Sequence, residues 1–109
     1  MDKNFRIMFL RGSNNHPVGC IAMRLGGNSV AYQVSTLNPV DKFNRRVARQ
    51  LALGRLLESP FLIQANASNI HETVRSVMQD ISRNKSVSNR ARICAARWIN
   101  SAKQSTKFE

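Results

Sequence analysis

The spacing of apolar residues changes near residue 37, and this change determines which elements the chain can form. Before residue 37, successive side chains would point to opposite sides of the chain along three runs, and apolar residues line one side of each run. This alternation is typical of strands. The three runs are Asn4–Arg11, Val18–Leu25 and Val30–Thr36. A GSNNHP loop and a Gly26-Gly27-Asn28 turn separate them. We therefore predict a three-stranded antiparallel β-meander over residues 4–37.

Three segments with helical spacing follow the strands. They predict helices over about residues 39–58, 69–83 and 88–103. The first has a clear start, because Asn38 can cap it, Pro39 fits its first position and Asp41 follows three residues after the cap. Asn69 and Ser88 are the corresponding caps of the other two helices.

Each predicted helix carries an apolar stripe suited to packing on the sheet. The stripes are Phe43, Val47, Leu51 and Leu57; Ile70, Val74, Val77 and Ile81; and Ala91, Cys94, Ala95, Trp98 and Ala102. The segment Phe61–Ala67 fits either a short extra strand or an apolar linker. We predict one α+β domain, residues 1–109, in which the three helices pack on one face of the meander and residues 104–109 form a flexible tail.

Several classes of protein are disfavoured by the sequence. No apolar run approaches the roughly 20 residues that span a bilayer, and Ile7–Leu10 is too short for a signal peptide, so we expect a cytoplasmic protein. Cys20 and Cys94 follow no metal spacing and fit reduced packing residues. Because His16, His71 and the six carboxylates form no catalytic set, we expect no enzyme activity, cofactor or metal.

An excess of positive charge is the strongest indication of function. Seventeen Lys and Arg oppose six Asp and Glu, which gives a net charge of +11. Most of the cations are arginines, whose planar guanidinium suits phosphate. Residues 59–84 carry no net charge, whereas the segments on either side are basic. Such an excess repels itself in a compact domain and predicts a polyanionic partner. We expect this partner to be nucleic acid, with DNA before RNA.

The first predicted helix offers one cationic cluster. At 100° per residue, Lys42, Arg45 and Arg49 fall within about 60° of one another and away from the apolar stripe. Arg46 lies nearer the boundary between the two faces. A stripe of cations without interleaved carboxylates is suited to following a phosphate backbone.

The start of the third predicted helix offers a second cluster, in which cations alternate with short hydrogen-bonding residues. A helix N-terminus favours phosphate, and in helix-turn-helix proteins the second helix places its first residues in the major groove. Asn and Arg also suit the edges of adenine and guanine. The candidate nucleic-acid-binding residues are therefore Lys42, Arg45, Arg46, Arg49, Lys85, Ser88, Asn89, Arg90, Arg92, Arg97 and Arg24.

The outer face of the sheet is a third candidate surface. Some DNA-binding domains lay three antiparallel strands in the major groove and brace them with one helix behind. The element order of residues 5–57 is similar to that of the plant domains of this kind and of phage integrase arm-binding domains. On this hypothesis Arg6, Arg24, Gln33 and Arg11 would face the DNA.

A stretch of about forty residues, Val18–Leu57, resembles small proteins encoded by tailed bacteriophages and prophages. The likeness lies in Tyr32-Gln33-Val34-Ser35, in Asn38-Pro39-x-Asp41-x-Phe43 and in Ala52-x-Gly54-Arg55-Leu56. The resemblance implies an accessory protein that acts inside a bacterium and binds nucleic acid or a host enzyme. It assigns no functional residue.

Two hypotheses of function stay open at this point. The first is a DNA-binding accessory or regulatory protein that contacts phosphates through its arginines. The second is an inhibitor or modulator of a host protein, bound through an acidic surface. Membrane binding is not expected, because the apolar faces are needed for the core. A homodimer is possible if Met8, Leu10, Cys20 and Ala22 form an open seam on the sheet.

Overall fold

Strands and helices follow one another in the order that the spacing predicts, with one strand added. The computed structural model describes residues 4–37, 42–65, 69–101, 104 and 106–108. Its elements are β1 (Phe5–Arg11), β2 (Pro17–Leu25), β3 (Ser29–Thr36), α1 (Arg45–Glu58), β4 (Phe61–Gln64), α2 (Ile70–Arg83) and α3 (Asn89–Asn100). The predicted α+β class is confirmed.

The sheet has four strands in the order β1-β2-β3-β4, and every neighbouring pair is antiparallel. The predicted count of three strands is therefore one short. The segment that fitted either a strand or a linker contains β4, in which Phe61 pairs with Tyr32 and Ile63 with Val30. A run of four residues is too short for its spacing to distinguish a strand from an apolar linker.

Helices cover both faces of the sheet. Helix α1 packs on the face that carries Ile7 and Phe9, whereas α2 and α3 pack on the face that carries Met8 and Leu10. The prediction that all three helices share one face is therefore wrong. The centres of β1 and β2 read IMFL and CIAM, and such continuous apolar runs are typical of strands that are buried on both sides.

The two covered faces leave no open dimer seam. Met8 and Leu10 lie under α2 and α3, and Cys20 and Ala22 lie under α1. All four side chains are buried, at 5% exposure or less. The seam proposed from the sequence is thus part of the interior.

Helix α1 begins later than predicted, at Arg45. The side chain of Asn44 caps it by accepting a hydrogen bond from Val47 N at 3.2 Å. The predicted cap Asn38, with Pro39 and Asp41, lies outside the described residues. Lys42 is described but is not helical, so the helix is shorter by at least one turn than its sequence pattern indicated.

The apolar face predicted for α1 is also wrong. The side chains that it buries are Ala48, Ala52 and Leu56, whereas the larger Val47 and Leu51 are about two-fifths exposed. Ser35 Oγ on β3 donates a hydrogen bond to Ala48 O at 2.7 Å. The small residues therefore let the helix backbone approach the sheet closely, and this close approach decides which side faces inward.

The pair formed by α2 and α3 follows its predicted stripes. Val74, Val77 and Ile81 are buried, as are three of the residues predicted for α3, namely Ala91, Cys94 and Ala95. Asn69 and Ser88 cap the two helices through their side-chain oxygens, as predicted.

A buried polar cluster joins the sheet to α2. Tyr32 on β3 is fully buried, and its hydroxyl donates a short hydrogen bond to a carboxylate oxygen of Asp80. Asn84 Nδ2 donates to the same hydroxyl at 3.2 Å. Burial, followed by the hydrogen bond to Asp80, raises the pKa of Tyr32 well above its ordinary value. Tyr32 thus stays protonated in the folded protein.

The edge of β3 beyond β4 is closed by side chains. The last residue pair of β3 and β4 joins Tyr32 to Phe61, so β4 leaves Val34 uncovered. Val34 N donates to Gln33 Oε1 at 3.0 Å, and Val34 O accepts from Arg55 Nη1 at 2.9 Å. Two side chains therefore satisfy backbone groups that a longer β4 would have paired.

Candidate functional site

A cavity of about 330 Å³ lies at the outer edge of β1, where elements from the two faces of the sheet meet. Phe9 and Arg45 border it from the side of α1, and Met78 and Trp98 border it from the side of α2 and α3. We call it the Trp98 cavity. Its position at a sheet edge makes it accessible to a ligand without any movement of the core.

The turn between β1 and β2 forms one wall of the Trp98 cavity. Gly12 N donates to His16 O at 2.9 Å, and Asn15 N donates to Gly12 O at 3.0 Å. Asn15 has a φ of 64°, a left-handed conformation that Asn tolerates better than most residues. Arg11 Nη1 donates to Asn15 O at 3.0 Å, so the turn holds the Arg11 guanidinium at the cavity.

Arg45 reaches the same cavity from the first turn of α1. Its guanidinium carbon lies 5.2 Å from the centre of the Phe9 ring, a cation–π contact. Phe9 in turn meets Phe43 edge to face, with ring centres 5.8 Å apart. The first turn of α1 contains no acidic residue, so the positive end of the helix dipole adds to the charge of Arg45.

Helix α3 contributes Arg97 and connects the Trp98 cavity with a second cavity. The second cavity lies over the β1–β2 turn and is bordered by His16, Arg90 and Phe43. We call it the His16 cavity. Gly12, Cys94 and Arg97 border both cavities, which therefore form one continuous surface along the edge of β1.

The thiol of Cys94 borders both cavities but is not suited to nucleophilic chemistry. Burial raises the pKa of Cys94, and the charges of Arg97 and Arg90 only partly oppose that effect. Cys20 is also buried and unpaired, and it belongs to the core cluster on the other face of the sheet. Both cysteines are thus packing residues, as predicted from their spacing.

Part of the C-terminal segment lies against the core. Phe108 packs against the cluster beneath α2 and α3, and Lys107 and Phe108 border the Trp98 cavity. Gln104 lies just beyond the end of α3, and its Nε2 donates a hydrogen bond to Ile99 O in the last turn of that helix at 2.8 Å. Residues 104–109 are predicted to form a flexible tail, and the structure gives these contacts for the described ones among them.

The charged residues that the structure describes around the two cavities have one sign. Arg11, Arg45, Arg97 and Lys107 border the Trp98 cavity, and Arg90 joins Arg97 at the His16 cavity. None of the described residues that border either cavity is Asp or Glu. Cations from four separate segments therefore converge at one edge of the molecule, where an anion would be attracted from every side.

Three of the residues predicted to bind nucleic acid border these cavities. They are Arg45, Arg90 and Arg97. Arg90 also serves the fold, because its Nη1 donates to Leu37 O at the end of β3. The other predicted residues border neither cavity.

The predicted cationic stripe on the first helix is broken. Lys42 is exposed but precedes α1, so it does not continue the row of Arg45 and Arg49. Arg46 and Arg49 are exposed on the helix itself. Arg45 and Arg49 lie one turn apart and remain neighbours on its surface.

The start of α3 is engaged with the body of the protein. Ser88 Oγ accepts from Ala91 N and lies 3.0 Å from Thr36 Oγ1, while Arg90 holds the end of β3. Arg92 is half-buried, and its Nε has no hydrogen-bond partner among the described residues. Lys85 and Asn89 are exposed. The start of α3 is therefore packed against the rest of the protein, whereas the start of a recognition helix projects into the major groove.

The hypothesis that the sheet lies in a DNA groove is wrong for this fold, because helices cover both of its faces. Arg24 lies with its guanidinium carbon 6.0 Å from the centre of the Phe5 ring. Arg6 donates to Phe5 O, and Gln33 donates to Ser59 O. Of the residues assigned to that surface, Arg11 is the one that borders a cavity.

Sequence reasoning missed part of the site. Lys107 and Phe108 were assigned to the tail, and Trp98 was assigned to the core. The turn residues Gly12 and Asn15 were read as a loop without a function. The GSNNHP composition of that loop was the available indication, since polar turns next to a strand end often border binding sites.

Comparisons with known proteins found no similar protein. The chain matches no family model, no curated protein and no solved structure. Among the described residues, no helix has the length and apolar character of a membrane span, and no three His, Cys, Asp or Glu residues are grouped as metal ligands.

Proposed function

We propose that the protein binds the phosphate backbone of nucleic acid through the cationic edge formed by the Trp98 and His16 cavities. One observation carries the proposal: Arg11, Arg45, Arg90, Arg97 and Lys107 come from four different segments and converge where no described Asp or Glu borders the surface. Bringing like charges together is unfavourable, and a polyanion that neutralises several of them at once removes that cost.

The extent of the positive surface favours a polymer over a single small anion. Arg49 continues from Arg45 along the exposed side of α1, and the net charge of +11 is far larger than one small ligand neutralises. Cations spread along an edge suit phosphates that repeat along a strand. DNA is our first choice of ligand, and the abundance of Arg over Lys suits its phosphates.

The setting that we propose is a bacterium that carries a phage or prophage. The resemblance of residues 18–57 to small phage proteins supports it. Binding to phosphates positions a protein on nucleic acid without selecting a sequence. We therefore propose an accessory role based on binding, with no catalytic step.

The test is binding of labelled DNA, measured by fluorescence anisotropy at a series of salt concentrations. For duplex DNA, the slope of log affinity against log salt is about −0.9 for each phosphate neutralised. The Arg45→Ala/Arg97→Ala variant should bind all sequences more weakly, and the magnitude of its salt slope should fall by about 2, one for each lost cation.

A charge-matched control is available on α2. Arg75 and Arg83 are exposed there and border neither cavity, so Arg75→Ala/Arg83→Ala removes the same charge from elsewhere. We expect it to keep most of the affinity. Equal losses for the two double variants, or no binding by the unaltered protein at low salt, would show that the edge of β1 is not the binding surface.

A pull-down from bacterial lysate, read together with the DNA titration, separates nucleic acid from an acidic host protein. A protein whose carboxylates imitate phosphates would also meet these cations. If the protein binds no DNA or RNA at low salt but retains one stoichiometric protein from nuclease-treated bacterial lysate, and Arg45→Ala/Arg97→Ala loses it, the nucleic-acid proposal is wrong. The inhibitor hypothesis then takes its place.

A further inference from the structure

The Trp98 cavity is larger than a phosphate site requires. Its volume of about 330 Å³ lies at the lower end of the roughly 300–1,000 Å³ of small-molecule sites. A phosphate group held by arginines on an open surface needs no cavity at all. The additional space therefore fits a further chemical group attached to the phosphate.

Part of the lining of the Trp98 cavity is apolar and aromatic. The buried side chains that border it are Met8, Phe9, Leu10, Met78 and Cys94. Two half-buried aromatic residues, Trp98 and Phe108, complete this part of the lining. A flat heteroaromatic ring would bury apolar area here and stack on aromatic rings, whereas a bare phosphate would lose hydration without compensation.

The edge of β1 adds hydrogen-bonding groups to this apolar surface. Asn4 O accepts from Leu25 N of β2, so the alternation of antiparallel pairing directs the peptide groups of residues 5, 7 and 9 away from β2. Phe9 borders the Trp98 cavity on this outer edge. Its N–H and C=O can therefore bond to the ring nitrogen and the exocyclic group of a base.

The charged groups lie around the outside of the same space. Arg11, Arg45, Arg97 and Lys107 border the cavity, and all four are exposed residues. Long cationic side chains keep their charged ends near water while their stems lie on apolar surface. The cavity thus brings apolar and aromatic residues together with cationic ones, which matches a ligand that carries a ring at one end and a phosphate at the other.

We infer that the Trp98 cavity binds one nucleotide, with the base against Trp98 and Phe108 and the phosphate between Arg45 and Arg97. This inference rests on the proposed function and adds to it a specific subsite. The nucleotide is either one unit of a bound strand or a free nucleotide, since both present the same ring and phosphate.

Trp98 is the single tryptophan of the chain, so its fluorescence reports directly on the cavity. The experiment titrates the full chain with adenosine 5′-monophosphate and corrects for absorption with free tryptophan amide. Ribose 5-phosphate and adenosine, which lack the base and the phosphate respectively, serve as ligand controls. We expect saturable quenching by the nucleotide, with an affinity at least about tenfold higher than that for either control, as expected when one good contact is lost.

The variant that tests the phosphate contact is Arg97→Gln, and Arg75→Gln on α2 is its control. Arg97→Gln should weaken nucleotide binding about tenfold or more, because it removes one charge-assisted hydrogen bond, while Arg75→Gln should leave the affinity unchanged. Far-UV circular dichroism and thermal melting establish that both variants fold. If Arg97→Gln does not fold, Arg45→Gln makes the same test from α1.

A titration with a short 5′-phosphorylated oligonucleotide identifies the source of the ligand. Tighter binding of the oligonucleotide supports a subsite for a nucleotide within a strand, and tighter binding of the mononucleotide supports a free nucleotide. Equal affinity for ribose 5-phosphate and the nucleotide, or no saturable quenching by any of them, overturns the inference. DNA binding that is lost in Arg45→Ala/Arg97→Ala would still stand in that case, so the two proposals can fail separately.

Discussion

The two faces of the sheet are closed by helices in different ways. On one face, α2 and α3 bring large side chains, among them Val74, Val77, Met78 and Ile81, into the sheet's core cluster. On the other, α1 contributes two alanines and Leu56, and keeps its other large apolar side chains partly outside. On the first face, large side chains of the helices and the sheet interlock. On the second, the helix backbone itself lies close to the sheet.

This difference shows that the size of its apolar side chains does not by itself decide which side of a helix faces a sheet. The strands already supply Ile7 and Phe9 to the α1 face, so a helix with a small inner side fits the remaining space. The hydrogen bond from Ser35 to Ala48 O fixes that approach. We therefore expect stability to depend mainly on the α2 and α3 face, and the α1 face to tolerate changes on its outer side.

The largest expected effect is at Ile81, which is fully buried on the inner side of α2. Ile81→Ala should lower the free energy of unfolding by about 2–5 kcal/mol, through lost apolar burial and the cavity left behind. Leu57→Ala on α1, at a side chain that is 73% exposed, should change it by about 0.5 kcal/mol or less. Urea unfolding followed by circular dichroism measures both. Similar losses at the two positions would contradict the comparison.

An intermediate effect is expected at Tyr32, which joins the sheet to α2 through Asp80 and Asn84. Tyr32→Phe removes the hydroxyl and leaves partly buried polar groups without their partner, so it should cost about 1–3 kcal/mol near neutral pH. Urea unfolding of the variant beside the unaltered protein gives this value.

The same residue gives a pH dependence with a definite sign. The pKa of Tyr32 is raised by folding, so its stabilising contribution is fully present below the ordinary tyrosine pKa of about 10 and declines as the pH rises above it. The stability difference between the unaltered protein and Tyr32→Phe should therefore shrink in that range. Tyr32 is the only tyrosine, and its tyrosinate absorbance should appear together with unfolding; appearance in the folded protein would contradict this account.

A small gain in stability is expected at Gly54 on the outer side of α1. A Cβ added at this helical glycine meets nothing within 4 Å. Gly54→Ala should raise the free energy of unfolding by about 0.5–1 kcal/mol, because alanine loses less backbone freedom in a helix. Ala52→Leu on the inner side is the contrasting variant, expected to cost about 1–3 kcal/mol by overpacking. A loss of stability in Gly54→Ala would mean that the outer side of α1 is not free.

Local patterns predicted the element order and both helices of one face. The strand runs, the caps Asn69 and Ser88 and the stripe of Val74, Val77 and Ile81 each depend on neighbours in sequence. The side of α1 that faces inward and the pairing of β4 depend on which surfaces meet in three dimensions, so no local pattern contains them. The continuous apolar runs in β1 and β2 did indicate a sheet that is covered on both faces. The alternating pattern of the same strands indicated one covered face, and it was the weaker guide.

The charge of the sequence predicted the class of ligand but not where in the fold the candidate site lies. Net charge indicated a polyanion, and Arg45, Arg90 and Arg97 were among the residues selected. The site itself forms where the first strand, the first and third helices and the C-terminal segment meet, and residues such as Arg11 and Lys107 are distant in sequence from each other. Their convergence is a property of the topology, since it is set by which strand lies at the edge of the sheet.

The bond from Arg55 to Val34 O has a consequence for how the molecule behaves in a crowded cell. Together with Gln33, Arg55 occupies the peptide groups that would otherwise act as a template for a strand from another molecule. At the opposite margin, a second copy approaching β1 would set Arg11, Arg45 and Arg97 against their own counterparts. Arg55 thus closes the part of β3 that β4 leaves uncovered, and at the margin formed by β1 the repulsion between arginines opposes the stacking of one sheet on another.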